Sequence, residues 1–166
     1  MDIYLINIKI ADKIPEELLQ KFNLKSYTHG KIHSLTYLMI DRILKEVYKI
    51  QNREIVFNSK KPILKSGGKY LSVSHSNEYI ALAFSDNNCG VDIEKIKDRN
   101  FKAISARMGF NSKSLEDFYY NWTEFEASYK LGEKYSIKNI NKIDNYILTA
   151  VSTNPNEKFE LYNSVY

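Results

Sequence analysis

The chain has little cysteine, proline or glycine: one Cys, three Pro and six Gly in 166 residues. The single cysteine, Cys89, cannot form a disulfide within the chain, which excludes a disulfide scaffold and favours a reducing compartment. No clear linker or low-complexity segment interrupts the sequence. Hydrophobic residues make up 43% and aromatic residues 13%, which is enough for a folded core in one compact unit.

Long apolar runs and a strong excess of charge are also missing. No apolar stretch approaches the ~20 residues that cross a bilayer, and MDIYLINIKIADK at the N-terminus lacks the basic lead of a signal peptide. We therefore expect a cytoplasmic protein without a membrane partner. The net charge of +4 fits an acidic partner or a phosphate-rich ligand, although ordinary proteins also reach it.

Helix and strand patterns are mixed along the chain and predict an α+β fold. Apolar residues recur every three or four positions over 31–50 and 112–131, which indicates two amphipathic helices. The other predicted elements are a short helix at 15–22, a short strand at the start of 52–70 that is followed by a polar loop, and strands at 3–10, 70–76, 79–85, 89–94, 145–153 and 158–162. The turn residues SDNN at 85–88 favour a hairpin between the strands on either side, and antiparallel pairs favour α+β over a doubly wound sheet.

The helix at 112–131 is predicted to carry its apolar residues in one buried stripe that ends at Gly132. The members of that stripe are Leu115, Phe118, Trp122, Phe125 and Tyr129.

Two carboxylates, Asp92 and Glu94, interrupt the apolar segment CGVDIEKIKD at 89–98. Alternate side chains of a strand share a face, so the two acids repel each other unless a positive group lies between them. Hard oxygen ligands suit Mg²⁺, which usually takes one or two carboxylates. The alternative is a polar strand face that is exposed to water.

The helical segment WTEFEASYK, 122–130, places Trp122, Glu126 and Lys130 four residues apart on one side. Glu126 is a candidate third carboxylate and proton acceptor, and Lys130 a candidate phosphate contact. An ordinary Glu–Lys pair beside a core Trp is the alternative.

A third group is SVSHSNEY, 72–79, in which Ser74 and Ser76 flank His75 downstream of Lys60 and Lys61. Hydroxyl, imidazole and ammonium groups are suited to a phosphate-rich ligand. Such residues are otherwise ordinary surface positions.

Taken in order, these segments resemble the signatures of the Sfp-type 4′-phosphopantetheinyl transferases. The family has an SHS segment, a G-[VI]-D-I-E strand and a W-[TS]-x-K-E-[AS]-x-x-K helix, which match 74–76, 90–94 and 122–130 here. The SKKP segment, 59–62, resembles the family's G-K-P element, and HSLTYLMIDR, 33–42, lies where the family has an Arg-led helix start.

The resemblance implies a pseudo-two-fold pair of α/β halves, near 1–88 and 89–166, with the ligand between them. It implies transfer of the 4′-phosphopantetheine arm of coenzyme A to a serine of an acidic apo carrier protein, with release of 3′,5′-ADP. The same resemblance implies a Mg²⁺ cofactor. A complete two-half chain would need no partner to form its cleft, so we expect a monomer, and we expect no nucleic-acid partner.

Site residues follow from the same resemblance. Asp92, Glu94 and Glu126 would hold Mg²⁺, Glu126 would deprotonate the carrier serine, and Lys130 and Asp92 complete the catalytic set. Coenzyme A would be bound by Lys61, Ser74, His75, Ser34, His33 and Lys130. Further basic candidates are Lys21, Lys25 and Lys31.

Two departures from the family pattern keep other functions open. Phe125 stands where the family has a lysine, and His33 where it has an arginine, so a catalytically weak coenzyme A-binding partner protein is an alternative. A metal-dependent nucleic-acid-binding domain is disfavoured because the lysines are dispersed rather than banded. Finally, Phe101, Met108 and Phe110 either form a docking patch or cover the core.

Overall fold

A computed structural model of the chain describes residues 1–21, 30–57 and 61–163. The predictions on Lys25 and Lys60 lie outside the described residues. The helices are a 3₁₀ helix (Ile8–Lys13), α1 (Glu16–Gln20), α2 (Gly30–Glu46), α3 (Phe101–Met108) and α4 (Leu115–Leu131). The strands are β1 (Asp2–Asn7), β2 (Ile55–Phe57), β3 (Pro62–Leu64), β4 (Tyr70–Ser76), β5 (Tyr79–Ser85), β6 (Cys89–Lys95), β7 (Ile137–Ile143), β8 (Tyr146–Ser152) and β9 (Glu160–Asn163).

The larger of two sheets has six strands in the order β2-β3-β4-β5-β1-β9. Its neighbours pair antiparallel except for β9, which lies parallel to β1. A two-residue loop closes the β4–β5 hairpin between Ser76 and Tyr79, and Asn77 in that loop has a positive φ of 49°. Positive φ is common in such short hairpin loops, and Asn tolerates it well.

The smaller sheet has the order β6-β8-β7, with every pair antiparallel. The predicted hairpin between the strands at 79–85 and 89–94 is therefore wrong, because β6 pairs with β8 and not with β5. Both edges of β5 are already occupied by β4 and β1, so the SDNN turn leads the chain out of the larger sheet into the smaller one.

The strands and helices form four layers: α2, the larger sheet, the smaller sheet and α4. The alternating side chains of β1 show the order of the layers. Tyr4 and Ile6 pack in the cluster with α2, whereas Ile3 and Leu5 pack against β6 and β8. The far side of the smaller sheet is covered by α4, where Ile147 and Val151 of β8 contact the helix. The predicted α+β class, with mixed helix and strand, is confirmed.

The buried stripe predicted for α4 is wrong in two of its members. Phe125 and Tyr129 are 42% and 54% exposed, and the fully or almost fully buried residues are Phe118, Tyr119, Thr123, Ala127 and Leu131. The face of α4 that packs on the sheet therefore includes the small residues Thr123 and Ala127 in place of Phe125 and Tyr129. Its ends follow from local sequence: Ser114 and Asp117 form a capping box, and Gly132 ends the helix with a φ of 84°.

Short elements in polar sequence were not predicted: the 3₁₀ helix, β3, α3 and β7. Within the described ranges, none of the helices combines the length and apolar character needed to cross a membrane.

Candidate functional site

Strand β6 carries the two acids on the side that faces α4. Val91 and Ile93 are buried in the core between the two sheets, so the alternating residues Asp92 and Glu94 point the other way. Asp92 is only 4% exposed and Glu94 is half-buried. A water-exposed strand face is therefore excluded for Asp92, and its charge needs partners inside the protein.

Helix α4 approaches β6 so closely that position 90 has no room for a side chain. A Cβ atom on Gly90 would lie 2.0 Å from the carbonyl oxygen of Ala127, which is far below any van der Waals contact. Ala127 is itself fully buried against the smaller sheet. The pair of small residues thereby brings the helix positions on either side of Ala127, including Glu126 and Lys130, to the acidic strand.

Lys130 supplies the positive charge that the acid pair requires. Its Nζ lies 2.7 Å from Asp92 Oδ1 and also donates to the carbonyl oxygen of Val91 at 3.1 Å. Both side chains of this ion pair are largely shielded from water, so breaking it would leave an uncompensated charge. Lys130 thus connects α4 to β6, and the simple Glu126–Lys130 pair within one helix does not describe its contacts.

Two buried serines of β4 hold the same carboxylates from the larger sheet. The hydroxyl of Ser74 donates to Asp92 Oδ1 at 2.6 Å, and that of Ser76 donates to Glu94 Oε2 at 2.9 Å. The sequence motif thus brings Ser74 to Asp92, as a partner of the acid. The contact of Ser76 with Glu94 was missed by sequence reasoning, because it depends on the approach of two strands that are distant along the chain.

The remaining acid, Glu126, lies within the electrostatic reach of Asp92. Burial, together with the charge of Asp92, raises the pKa of Glu126, and Lys130 opposes this shift. Burial is also the main reason that the pKa of Glu94 is raised, although Ser76, Arg99 and Lys130 pull it down. Burial is the larger cause of both shifts, and the charge of Asp92 adds to each, so a cation among the three acids would relieve part of their repulsion.

The second carboxylate oxygen of Asp92 fits a metal ligand. Asp92 Oδ2 is buried and has no hydrogen-bond partner among the described residues. The donor set of Asp92, Glu94 and Glu126 consists of hard carboxylate oxygens, which suit Mg²⁺. In the part of the chain that the structure describes, no three acidic, His or Cys side chains already stand together as a metal-binding group. Lys130 and Ser74 occupy Asp92 Oδ1, and Ser76 occupies Glu94 Oε2.

Lys61 joins this region at the start of β6. Its Nζ donates to the side chain of Asn88 and, at 3.1 Å, to the carbonyl oxygen of Cys89, three residues before Asp92. Beside it is an open cavity of about 480 Å³ whose lining includes Lys61, Lys69, Asn88 and Leu131. His75 is an exposed residue of β4 between Ser74 and Ser76. Its side chain therefore lies on the opposite face of the strand from the two serines.

The predicted residues of α2 lie away from the acids. Ser34 is buried beside a second cavity of about 480 Å³, whose lining includes Asp12 and Lys31. The ring centroid of His33 lies 4.9 Å from that of Tyr37 and 6.0 Å from that of Phe57. Because α2 covers the face of the larger sheet opposite the smaller sheet, the structure does not bring His33 and Ser34 to Asp92. Lys21 is exposed after α1.

The proposed docking residues of α3 and its following loop contact the core. Phe101 and Phe110 each have ring centroids 6.4 Å from that of the fully buried Phe118. Phe101 and Phe110 thus cover this part of the core, and Met108 is half-buried.

The chain matches no protein-family model and has no significant match among curated proteins. The functional assignment therefore depends on the sequence motifs and on the geometry of the acidic site.

Proposed function

We propose that this protein is a magnesium-dependent 4′-phosphopantetheinyl transferase that moves the arm of coenzyme A to a serine of an acidic apo carrier protein. The observation that carries this proposal is the state of Asp92. One oxygen of this buried carboxylate is held by Lys130 and Ser74, the other has no partner among the described residues, and two further acids feel its charge.

The layered arrangement supports a fold of two similar halves. Each half contains a 17-residue helix that covers a sheet with a tight antiparallel hairpin, α2 over β4–β5 and α4 over β7–β8. A division near 1–88 and 89–166 follows this pattern with one exception. Strand β9 returns from the second half to pair with β1 of the first.

The site residues have separate tasks in this proposal. Asp92, Glu94 and Glu126 would hold the ion, and Mg²⁺ bound there would offset the negative charge that builds on the departing 5′-phosphate of 3′,5′-ADP. Glu126 accepts the proton of the carrier serine, for which its raised pKa is favourable. The serine oxygen then bonds to the phosphorus of the arm as the bond to 3′,5′-ADP breaks, and Lys130 steadies the departing charge.

Coenzyme A would be held beside the acids by Lys61. His75 lies on the face of β4 opposite to the serines that hold the acids, so its proposed phosphate contact would lie away from Asp92 and Glu94. The contacts of Lys61 with Asn88 and Cys89 keep a cation at the start of β6, next to an open cavity that a nucleotide could enter. His33 and Ser34, on α2, would contact the outer part of this ligand. Phe125 provides no cation, so we expect the phosphates to depend on Lys61 and Lys130.

Mass spectrometry of a carrier protein tests the proposal. The protein is mixed with coenzyme A, Mg²⁺ and an acidic apo carrier, and a gain of one phosphopantetheine is expected. Asp92→Asn removes the charge but keeps the shape of the side chain, and it should abolish the gain. Asp86→Asn is the matched control, because Asp86 is an exposed acid on the turn after β5. Coenzyme A binding without transfer to any of several carriers would favour the partner-protein alternative.

Asp92→Ala is a poor test of the metal site, because it would also destabilise the fold. The charge of Lys130 and the hydroxyl of Ser74 would both lose the carboxylate that they bind. Besides its proposed role in metal binding, Asp92 joins β4, β6 and α4. Removal of one partner from such a pair typically costs about 3–5 kcal/mol. A folded Asp92→Asn protein with full transfer activity would contradict the proposed function.

A further inference from the structure

Three serines at alternate positions of β4 face the open edge of β6. Ser72, Ser74 and Ser76 are all buried, and each makes a hydrogen bond to β6. Strand β6 is an edge strand of the smaller sheet, so one side of its backbone has no strand partner within residues 1–21, 30–57 and 61–163. We call these three residues the serine ladder.

The members of the serine ladder differ in what they bind. Ser72 accepts a hydrogen bond from the backbone N–H of Val91 at 3.0 Å, and it makes no hydrogen bond to a carboxylate of the described residues. Ser74 donates to Asp92 Oδ1. Ser76 does both, because it accepts from the backbone N–H of Lys95 at 3.1 Å and donates to Glu94 Oε2.

A serine hydroxyl has a single hydrogen and can donate only one hydrogen bond at a time. The acceptor of that bond therefore indicates what the serine does. The hydrogen of Ser74 is given to Asp92 and that of Ser76 to Glu94, which leaves neither hydroxyl with a hydrogen for a phosphate oxygen. On Asp92 both Ser74 and Lys130 hold the same oxygen, Oδ1. The rotation of the carboxylate is thereby fixed, and Oδ2 is the oxygen that remains for another ligand.

We propose that Ser74 and Ser76 are positioning residues that orient the carboxylates of Asp92 and Glu94 toward a divalent cation, while Ser72 only satisfies the edge of β6. This inference rests on the proposed function, since it concerns the same metal site. It changes the role that the motif resemblance implies for Ser74, from a phosphate ligand to a residue that acts through Asp92. Groups that orient metal ligands in this way typically change metal affinity by about 10–100-fold.

Direct metal binding is the readout, with Mn²⁺ as the probe and neither coenzyme A nor carrier present. Free Mn²⁺ is measured by electron paramagnetic resonance during titration of the wild type and of Ser72→Ala, Ser74→Ala and Ser76→Ala. We expect the Mn²⁺ affinity of Ser74→Ala and of Ser76→Ala to be about tenfold lower than that of the wild type, or lower still. Ser72→Ala is the matched control with the same change at the same depth, and its Mn²⁺ affinity should equal that of the wild type.

Rescue separates positioning from packing. Ser74→Thr keeps a hydroxyl at the same position, so it should restore most of the affinity that Ser74→Ala loses. If Ser74→Ala does not fold, Ser76→Ala and Ser74→Thr still test the inference: unchanged affinity in the former, or a tenfold loss in the latter, would overturn it. Coenzyme A binding is then measured in EDTA, where Ser74→Ala should bind as the wild type does. A loss there would show that Ser74 contacts the ligand directly.

The two proposals fail in different ways. If the wild type binds no Mn²⁺, both the metal site and the role of the ladder are wrong. If the wild type binds Mn²⁺ and all three alanine variants bind it equally well, only the positioning role is wrong.

Discussion

Helices α2 and α4 have the same length of 17 residues and each covers one sheet, but beyond Phe118 and Tyr119 the buried face of α4 is made of smaller side chains than that of α2. The contact of α2 is made by large apolar side chains such as Leu35, Met39 and Ile43, all fully buried. The contact of α4 on β6 and β8 contains Thr123 and Ala127, with the Thr123 hydroxyl 2.7 Å from that of Thr149.

The difference shows how one helix can stabilise a fold while the other builds a site. Large side chains on α2 bury apolar area but keep the helix backbone at a distance from the sheet. On α4 small residues let the backbone approach β6, and Lys130 then reaches Asp92. The apolar contact of α2 should therefore determine stability, and the close contact of α4 should determine metal binding.

The largest effect on stability is expected on the α2 side. Ile43→Ala removes a fully buried side chain from the contact of α2 with the larger sheet, and we expect a loss of about 2–5 kcal/mol in the free energy of unfolding. The Mn²⁺ affinity of the folded fraction should not change. Urea denaturation and Mn²⁺ titration measure the two quantities. The exposed Lys45→Ala on the same helix is the control, with a change within about 0.5 kcal/mol.

A smaller loss of stability with a larger loss of metal binding is expected on the α4 side. Gly90→Ala forces the helix away from β6, because the new Cβ would lie 2.0 Å from the carbonyl oxygen of Ala127. We expect about 1–3 kcal/mol of destabilisation and a clear fall in Mn²⁺ affinity. Urea denaturation and Mn²⁺ titration again measure the two quantities.

Gly109→Ala distinguishes a close approach from ordinary backbone strain. Gly109 has a φ of 72° at the end of α3 and open space around its Cβ position, so alanine there should cost about 1 kcal/mol. Its Mn²⁺ affinity should match the wild type. Equal metal affinity in the Gly90→Ala and Gly109→Ala proteins would remove the link between close helix packing and the acidic site.

The contrast between the helices also explains how far the sequence predicted the fold. The periodicity of α2 was informative because its buried face is made of large apolar residues, although the helix ends at Glu46 and Val47 is exposed. The buried face of α4 was misread because Thr123 and Ala127 carry little hydrophobic signal, whereas Phe125 is large and exposed. Which face of a helix is buried there depends on Gly90, a residue of another element.

The candidate site was predicted unevenly for a similar reason. Spacing within one strand or one helix correctly grouped Asp92 with Glu94, and Glu126 with Lys130, because such neighbours are fixed by local geometry. The role of Ser76 depends on the approach of β4 to β6, which no local pattern encodes. An alternation of serines at 72, 74 and 76 was the only signal, and it predicts a shared face without naming the partner.

The smallest expected effects on stability come from two carboxylates at the contact of the two sheets. Their contributions to stability depend on pH in opposite directions. Glu78, in the β4–β5 loop, accepts hydrogen bonds from Tyr146 of β8 and from Lys95 of β6, and these lower its pKa to about 2. Burial raises the pKa of Glu94 above its usual 4.5, with Asp92 adding to the shift.

Proton linkage sets the sign of each effect on stability in EDTA. Near and below pH 4.5 the unfolded chain binds a proton at Glu78 that the folded protein excludes, so stability is lost as the pH falls toward 2. At Glu94 the folded protein retains a proton that the unfolded chain releases, so stability is lost as the pH rises above 4.5. In a plot of Tm against pH, Glu78→Gln should reduce the fall in Tm below pH 4.5. Glu94→Gln should reduce the fall in Tm above pH 4.5. Since each variant is the control for the other, superimposable plots for the two would show that the carboxylates on this contact do not differ in environment.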